Sequence, residues 1–580
     1  MKAYIHRFFL VALAALTLNA CWLRKDTAAG DGNAVRTNQE GKEFDKAFFD
    51  AMERKALADD VGAYKAFSKC AELSPGNAVA WYEMARLDHL KERQDLALAH
   101  IRKAVQLDPA NYWYHQAYAG FLLEYGMYAE ARKELEWLIR DHPDELQAYY
   151  DLAASYLYSE DGKGAIKAYE RLEERIGIDP EVSFQKQRIF LLMGETEKAL
   201  AEVDRLIAAF PEPEIYGHKA AVLMDLGRMD EAERALQEVL ALDATNGNAW
   251  LMLSRIYARD GREDASWDAL TKAFLSADVS IDEKIGVLLR FFSASERDPA
   301  SLERAYTLLE KLDIAHTDDA KTHSMYGDYL LREGRYREAR DRFAQAVGID
   351  PNHQLIWAQL TELDMQLYEW DLLVEDATNA RNVFPAQPVF YLMMAIGQIQ
   401  VGQHDDAIKN LNVGKSYVLD EPMLMANFWS TLGEAYYKIG EYKRSDEAYE
   451  KALTLTPSDP LVLNNYSYYL ALQGRKLERA AELSLKSNQL MPGTASFQDT
   501  YGWVLFKQGK HEQALEWVGK AIAGGANDGV VLEHYGDILF HLNRVDEAVE
   551  YWEQALQAGG AGSSIQKKIN DRTWYDAQEP

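Results

Sequence analysis

The chain has 580 residues, and 63 Lys and Arg stand against 92 Asp and Glu, so its formal charge is −29. It is too long for one ordinary hydrophobic core, and 48% hydrophobic with 27% charged residues is typical of a soluble folded protein. So acidic a surface repels phosphate backbones, which argues against nucleic-acid binding. Two Cys exclude a disulfide scaffold and a Cys-rich metal site.

The first twenty residues have the pattern of a secretory signal peptide. Lys2 and Arg7 accompany an apolar run of 11 residues, 8–18, which is too short to span a membrane. The sequence LNAC at 18–21 follows and resembles the lipobox of bacterial lipoproteins. This resemblance implies that residues 1–20 are removed and that Cys21 is acylated, which anchors the protein by lipid. An ordinary signal peptide with a chance Cys is the alternative.

The residues after Cys21 indicate to which membrane a lipid-anchored protein would be sorted. In the best-known sorting rule for lipoproteins, Asp in the next position retains the protein at the inner membrane, and here that residue is Trp22. The resemblance therefore implies the outer membrane, and the lack of an acidic cluster in residues 22–27 favours its periplasmic side. Residues 21–43 are mostly polar and contain three Gly. We predict that they form a flexible tether.

From about residue 44 the sequence repeats with a period of 34 residues. Pro75, Pro109 and Pro143 are each 34 residues apart, and Pro351 and Pro385 repeat the interval. A helix–turn–helix pattern with this period is identified as the tetratricopeptide repeat, TPR. The resemblance implies an all-α, right-handed α-solenoid of about fifteen repeats. The copy at 426–459 carries the pattern most fully, with Trp429, Leu432, Gly433, Tyr436, Gly440, Tyr442, Tyr449, Ala452 and Pro457.

The repeats match the TPR pattern to different degrees along the chain. We predict an N-terminal TPR block at 44–280, a degenerate repeat at 281–319, a C-terminal TPR block at 320–562, and a capping helix with a tail at 563–580. The degenerate copy keeps the apolar residues of a second helix, but its first helix lacks the aromatic and glycine residues of the others. It is either a bend between the blocks or an ordinary repeat whose sequence has drifted.

Catalytic motifs are missing from the sequence. It has no HExxH, GxSxG, GxGxxG or P-loop motif, and its 13 His are scattered. Cys70 lies where a TPR places the small residue of its second helix, so we interpret it as a buried apolar residue. We therefore expect a non-enzymatic protein with no catalytic residue, no metal and no cofactor.

The remaining candidate site is the concave surface. The TPR resemblance implies that positions two, five, nine and twelve of each repeat face inward. Aromatic residues beside carboxylates suit protein partners or peptide segments with basic and apolar residues. The alternative is that these aromatic residues pack between helices. In the C-terminal block the predicted binding residues are Glu434, Tyr437, Tyr469, Asp499, Trp503, Phe506, Glu533 and Asp537, with Asn427, Ser430, Asn465 and Phe540 beside them; in the N-terminal block they are Trp113, Gln116, Gln147, Tyr150, Phe184 and Arg188.

The last two repeats have a narrower resemblance. Residues 499–506 and 532–537 resemble the closing repeats of TPR lipoproteins of the Gram-negative envelope, and 567–569 resemble a version common in Bacteroidota. This implies a scaffold that binds protein partners at the periplasmic face of the outer membrane, in envelope assembly or secretion. A regulatory or accessory subunit of an envelope enzyme acting on peptidoglycan or polysaccharide is the alternative.

Overall fold

The structure, a computed structural model, describes residues 38–294, 298–559 and 562–575. Every regular element in these residues is an α-helix, and no strand occurs among them. The all-α prediction is therefore confirmed. The predicted signal peptide 1–20, the proposed acylation site Cys21 and the part of the tether before Asn38 lie outside the described residues. From Asn38 onward the predicted tether is helical, six residues before the expected start of the repeats.

The chain divides into two compact units, and the first ends at Leu242. Its described residues form twelve helices that pack as six successive pairs, with a first and a second helix in each. These helices are α1 (Asn38–Ala56), α2 (Asp60–Leu73), α3 (Ala78–Leu90), α4 (Gln94–Leu107), α5 (Tyr112–Glu124), α6 (Tyr128–Asp141), α7 (Gln147–Tyr158), α8 (Gly162–Ile176), α9 (Pro180–Leu192), α10 (Thr196–Ala209), α11 (Pro213–Asp225) and α12 (Met229–Leu242).

The second unit begins at Asp243 and adds nine pairs and a short last helix within the part of the chain that is described. The two units together therefore contain the fifteen predicted repeats. The helices are α13 (Gly247–Arg259), α14 (Glu263–Leu275), α15 (Ile281–Ala294), α16 (Pro299–Ala315), α17 (Ala320–Arg332), α18 (Tyr336–Ile349), α19 (Gln354–Gln366), α20 (Trp370–Val383), α21 (Pro388–Gln400), α22 (His404–Lys415), α23 (Pro422–Lys438), α24 (Tyr442–Leu455), α25 (Pro460–Leu472), α26 (Leu477–Leu490), α27 (Ala495–Lys507), α28 (His511–Ala523), α29 (Gly529–His541), α30 (Val545–Ala558) and α31 (Ile565–Asp571).

In four repeats of the second unit, a glycine of the first helix lies close against a side chain of the second helix. A Cβ atom added to Gly433 on α23 would lie 2.6 Å from the ring of Tyr449 on α24, closer than real Cβ atoms approach. The glycine therefore leaves the space in which the second helix's ring lies against the first helix. The same pairing, again across 16 residues, recurs at Gly327 with Phe343, Gly502 with Val518 and Gly536 with Trp552.

The turn between the two helices follows the expected chemistry. Gly440, just after α23, has φ +78°, a left-handed conformation that glycine adopts without the penalty a side chain incurs. The second helices then carry an alanine near their N-terminus. Four of these alanines, Ala232, Ala339, Ala514 and Ala548, are fully buried.

The segment 281–319 forms the helix pair α15 and α16, and α16 also packs against α14, the second helix of the preceding repeat. Leu288 and Leu309 share one buried cluster with Tyr329 of the next repeat, and the hydroxyl of Tyr329 donates to the carbonyl of Leu288 at 2.6 Å. The division between the compact units falls between Leu242 and Asp243 and not at this segment. These contacts join the segment to the repeat that follows it.

The glycine contact yields a stability prediction. Replacing Gly433 with Leu should lower the free energy of local unfolding of α23 and α24 by about 2–3 kcal/mol, because the added atoms overlap the ring of Tyr449. Hydrogen exchange of the amides in these two helices measures that free energy.

Gly348 is the matched control, since it is an exposed helical glycine with no atom near its missing Cβ. Its replacement with Leu should leave stability unchanged or raise it by up to about 1 kcal/mol. Equal losses for the two variants would contradict the packing role of Gly433.

Candidate functional site

The eight residues predicted to bind a partner lie on four first helices of the second unit, and the structure buries five of them. Buried side chains cannot serve as an accessible anchor or as an acidic rim. The exposed fractions of Asp499, Trp503, Phe506, Glu533 and Asp537 are 6%, 6%, 5%, 6% and 3%.

Asp499 is paired with a histidine of the next first helix. Both carboxylate oxygens lie 3.0 Å from Nδ1 of His534, whose ring stacks on Trp503 with 3.9 Å between centroids. Burial lowers the pKa of His534, but the charge and hydrogen bond of Asp499 outweigh burial and raise that pKa above its ordinary value. Asp499 thus favours the protonated form of the imidazole, and Trp503 packs against this pair.

Glu533 and Asp537 are paired with a lysine of α31. Nζ of Lys568, a residue only 1% exposed, lies 2.7 Å from one oxygen of Glu533 and 2.8 Å from both oxygens of Asp537. The indole N–H of Trp552 donates to Asp537 at 2.9 Å. Burial nevertheless raises the pKa of Asp537, against the opposing charge of Lys568. The two carboxylates thus depend on a single ammonium group for their countercharge.

The two charge pairs are equivalent interactions in successive repeats. Glu533 follows Asp499 by 34 residues, and Lys568 follows His534 by the same interval. An acid on one first helix therefore meets a base on the next, and α31 occupies the place of the first helix of a partial sixteenth repeat. We call the pairs Asp499–His534 and Glu533–Lys568 the charge ladder.

The chain after α31 covers the aromatic end of the predicted groove. The ring of Trp574 lies 4.8 Å from that of His541 and 6.4 Å from that of Phe506, measured between centroids. The prediction of an open binding surface in the last two repeats is therefore wrong for its five buried residues. Residues 563–575, the described part of the segment 563–580 that is predicted as a capping helix and tail, occupy that surface themselves.

The other three predicted residues, Glu434, Tyr437 and Tyr469, are half-buried and retain access to solvent. We call them the tyrosine patch. The rings of Tyr437 and Tyr469 lie 4.4 Å apart. Burial raises the pKa of Glu434, although a hydrogen bond from Tyr469 opposes that rise. Burial and then the charge of Glu434 raise the pKa of Tyr469, so its hydroxyl remains a donor. The patch thus combines aromatic surface with a poorly solvated carboxylate.

The predicted inward residues of the first unit are more accessible. Trp113 is 63% exposed, Gln147 and Arg188 are exposed, and Gln116, Tyr150 and Phe184 are half-buried. The side-chain amide of Gln147 donates to Asp151 at 2.9 Å, and burial raises the pKa of Asp151. Sequence reasoning missed Asp151 because it lies outside the four inward positions of the family pattern.

Chemistry of other kinds has little support in the described parts of the chain. Across 38–294, 298–559 and 562–575, no three His, Cys, Asp or Glu side chains are placed to hold a metal ion. Cys70 is buried, and burial raises the pKa of its thiol to about 11, which disfavours the reactive thiolate. None of the helices that the structure describes is both long and apolar enough to cross a membrane.

Comparison with known proteins matches this architecture. Tetratricopeptide repeat models match residues 91–156, 188–247, 218–278 and 420–559. The chain is 20% identical over 423 residues to the TPR repeat-containing protein YpiA of Bacillus subtilis, covering 70% of this chain and 96% of YpiA. It is 27% identical over 172 residues to the type IV pilus assembly protein PilF of Pseudomonas aeruginosa, covering 29% of this chain and 66% of PilF.

One solved structure in the same comparison is a tetratricopeptide repeat protein from Parabacteroides merdae. It is 13% identical in sequence and superposes with a TM-score of 0.37, over 44% of this chain and 98% of that one.

The charge ladder yields a prediction at Lys568. Replacing Lys568 with Met keeps the length of the side chain but leaves Glu533 and Asp537 buried without a countercharge, at a cost of about 3–5 kcal/mol. Amides of α29 to α31 should therefore exchange faster with deuterium, whereas those of the first unit should not change.

Lys567 is the matched control, because it is the adjacent lysine and its side chain is exposed over the ring of Tyr575. Lys567→Met should leave exchange in α29 unchanged. If the amides of α29 are equally protected from exchange in both variants, the ladder contributes nothing to the stability of this end of the stack.

Proposed function

We propose that this chain, which belongs to the tetratricopeptide repeat family, is a non-enzymatic scaffold that holds a protein partner at the tyrosine patch. The observation that carries the proposal is the pairing of two tyrosine rings with the poorly solvated carboxylate of Glu434 on adjacent first helices. Aromatic side chains supply large contact areas with few rotatable bonds, and they are enriched where binding energy concentrates.

The chemistry of the patch selects the partner. The carboxylate of Glu434 is charged at neutral pH only at some desolvation cost, which a cationic side chain from a partner would offset. The overall charge of −29 also attracts basic segments from a distance. We therefore propose that the partner presents a segment that combines basic with apolar residues.

We further propose that the scaffold is lipid-anchored through Cys21 at the periplasmic face of the outer membrane, where it serves envelope assembly or secretion. The lipobox-like sequence before Cys21 and the Trp that follows it support the anchor and its destination. The similarity to PilF, a protein named for type IV pilus assembly, supports a role in building a larger assembly.

Tyr437→Ala tests the binding site. It should reduce recovery of the partner from detergent-solubilised envelopes at least tenfold, which corresponds to about 1.4 kcal/mol, because it removes half of the aromatic surface. Quantitative mass spectrometry of the material bound to each variant measures the recovery, and circular dichroism checks that helix content is kept.

Tyr368 is the matched control, since it is 75% exposed and lies outside the patch in the turn between α19 and α20. Tyr368→Ala should retain the partner. Equal recovery of the partner with Tyr437→Ala and with Tyr368→Ala would rule out the patch as the binding site.

Cys21→Ala tests the anchor. The variant should not incorporate labelled palmitate and should leave the outer-membrane fraction, because the proposed acceptor thiol is gone. Cys70→Ala provides the control, since its thiol is buried, and it should keep both the label and the location. Labelling of Cys21→Ala at the level of the native chain would refute lipid attachment at this residue.

A further inference from the structure

Two buried carboxyl groups in the second unit share a single guanidinium group. Asp364 on α19 is fully buried, and Asp376 on α20 has only 13% of its side chain exposed. Arg340 on α18 donates from Nε to Asp364 at 2.8 Å and from Nη2 to Asp376 at 2.5 Å. The two carboxyl groups also lie within hydrogen-bond distance of each other. The single positive charge of Arg340 can balance only one of them.

The pair lacks a hydrogen-bond donor when both carboxyl groups are ionised. Oδ2 of Asp364 is buried, and no N–H or hydroxyl donor of the described residues reaches it. Two carboxyl groups can form a hydrogen bond with each other only when one of them is protonated. A proton on Asp376 would therefore supply the missing donor, and the exposed part of that side chain gives the proton a route to solvent.

The next repeat contains a pair of amides at the same positions, 34 residues further on. There the side-chain N–H of Asn410 donates to the side-chain oxygen of Gln398 at 3.0 Å. In the first unit, Asp88 and His100 are separated by the same 12 residues, and Nδ1 of His100 lies 2.6 Å from the carboxylate. Each of these pairs includes a nitrogen that can donate, which the pair of carboxyl groups lacks unless it binds a proton.

The surroundings favour a bound proton on this pair. Burial, and then the charge of Asp364, raise the pKa of Asp376 to about 7, against the opposing charge of Arg340. Burial also raises the pKa of Asp364. The nearby charge of Glu369 adds to the rise at Asp364, and that of Glu375 adds to the rise at Asp376. Helix α21, which packs against α20, has no acidic or basic residue that could compensate.

We propose that Asp364 and Asp376 form a proton-dependent latch between α19 and α20. With one proton shared, the two carboxyl groups and Arg340 carry no net charge, and the helices are held together. When the proton leaves for solvent, one negative charge is left without a countercharge, and the repulsion between the carboxylates loosens the two helices. The repeat is therefore more rigid below neutral pH than above it.

The stability of this repeat should decrease as the pH rises. A locally opened segment releases the proton near the ordinary pKa of an aspartic acid, whereas the folded pair retains it up to about pH 7. The free energy of opening therefore falls across this interval and is constant above it. Amide protection in α19 and α20, corrected for the intrinsic exchange rate, should fall at least about tenfold between pH 5 and pH 8.

Three variants separate the latch from other effects of pH. Asp376→Asn provides a permanent N–H donor and removes one charge, so protection in α19 and α20 should change by less than about threefold over the same range. Asp364→Asn should behave in the same way, because it too leaves a single carboxylate for Arg340. Asp341→Asn is the matched control, since this carboxylate lies beside Arg340 with 64% of its side chain exposed, and it should keep the native pH dependence.

Infrared spectroscopy detects the proton itself, because the C=O band of a protonated carboxyl group is separate from the bands of carboxylates. The difference spectrum between the native chain and Asp376→Asn should contain this band at pH 6 and lose it at pH 8. Absence of the band at pH 6 would overturn the proposal. So would a native chain without the loss of protection, or a loss of native size in both asparagine variants. All measurements use purified full-length protein without a partner, so their outcome is independent of the tyrosine patch.

Discussion

In four repeats of the second unit, the close contact between a glycine of the first helix and a side chain of the second helix is the constraint that sets how the two helices pack. At Gly433 the ring of Tyr449 lies where any Cβ atom would be. This contact brings the two helices of a repeat together, and a repeat made in this way can bury its apolar face only against its neighbours. Residues 34 positions apart then occupy equivalent places on successive first helices, so side chains distant in sequence become partners.

The charge ladder results from this 34-residue register. Acids that a family pattern would assign to an open surface are neutralised by bases of the next first helix. Burial makes these pairs dependent on each other, since one carboxylate left alone in the interior is costly. Much of the acidity around the last repeats is therefore internal. Half-buried aromatic and acidic surface remains next to the ladder, at the tyrosine patch.

The sequence predicted the parts of the structure that recur in every repeat. The helix pairs and their 34-residue period are local features, and many copies reinforce them. The burial of Trp503 and Asp537 was not predictable in the same way, because it depends on residues 562–575. His534 and Lys568 are different residue types in the same register, so no repeat consensus identifies them as equivalent bases.

The partial sixteenth repeat has a consequence for how such an array changes length. Deleting residues 500–533, which amount to one period, would join Asp499 to His534 and bring Asp499 into the place of Glu533, where Lys568 could pair with it. Gain or loss of a whole repeat at this point thus leaves no buried acid without a base. The terminal segment can therefore close arrays of different lengths. A TPR array could end with the same residues if the first helix of its final repeat has carboxylates at these two positions.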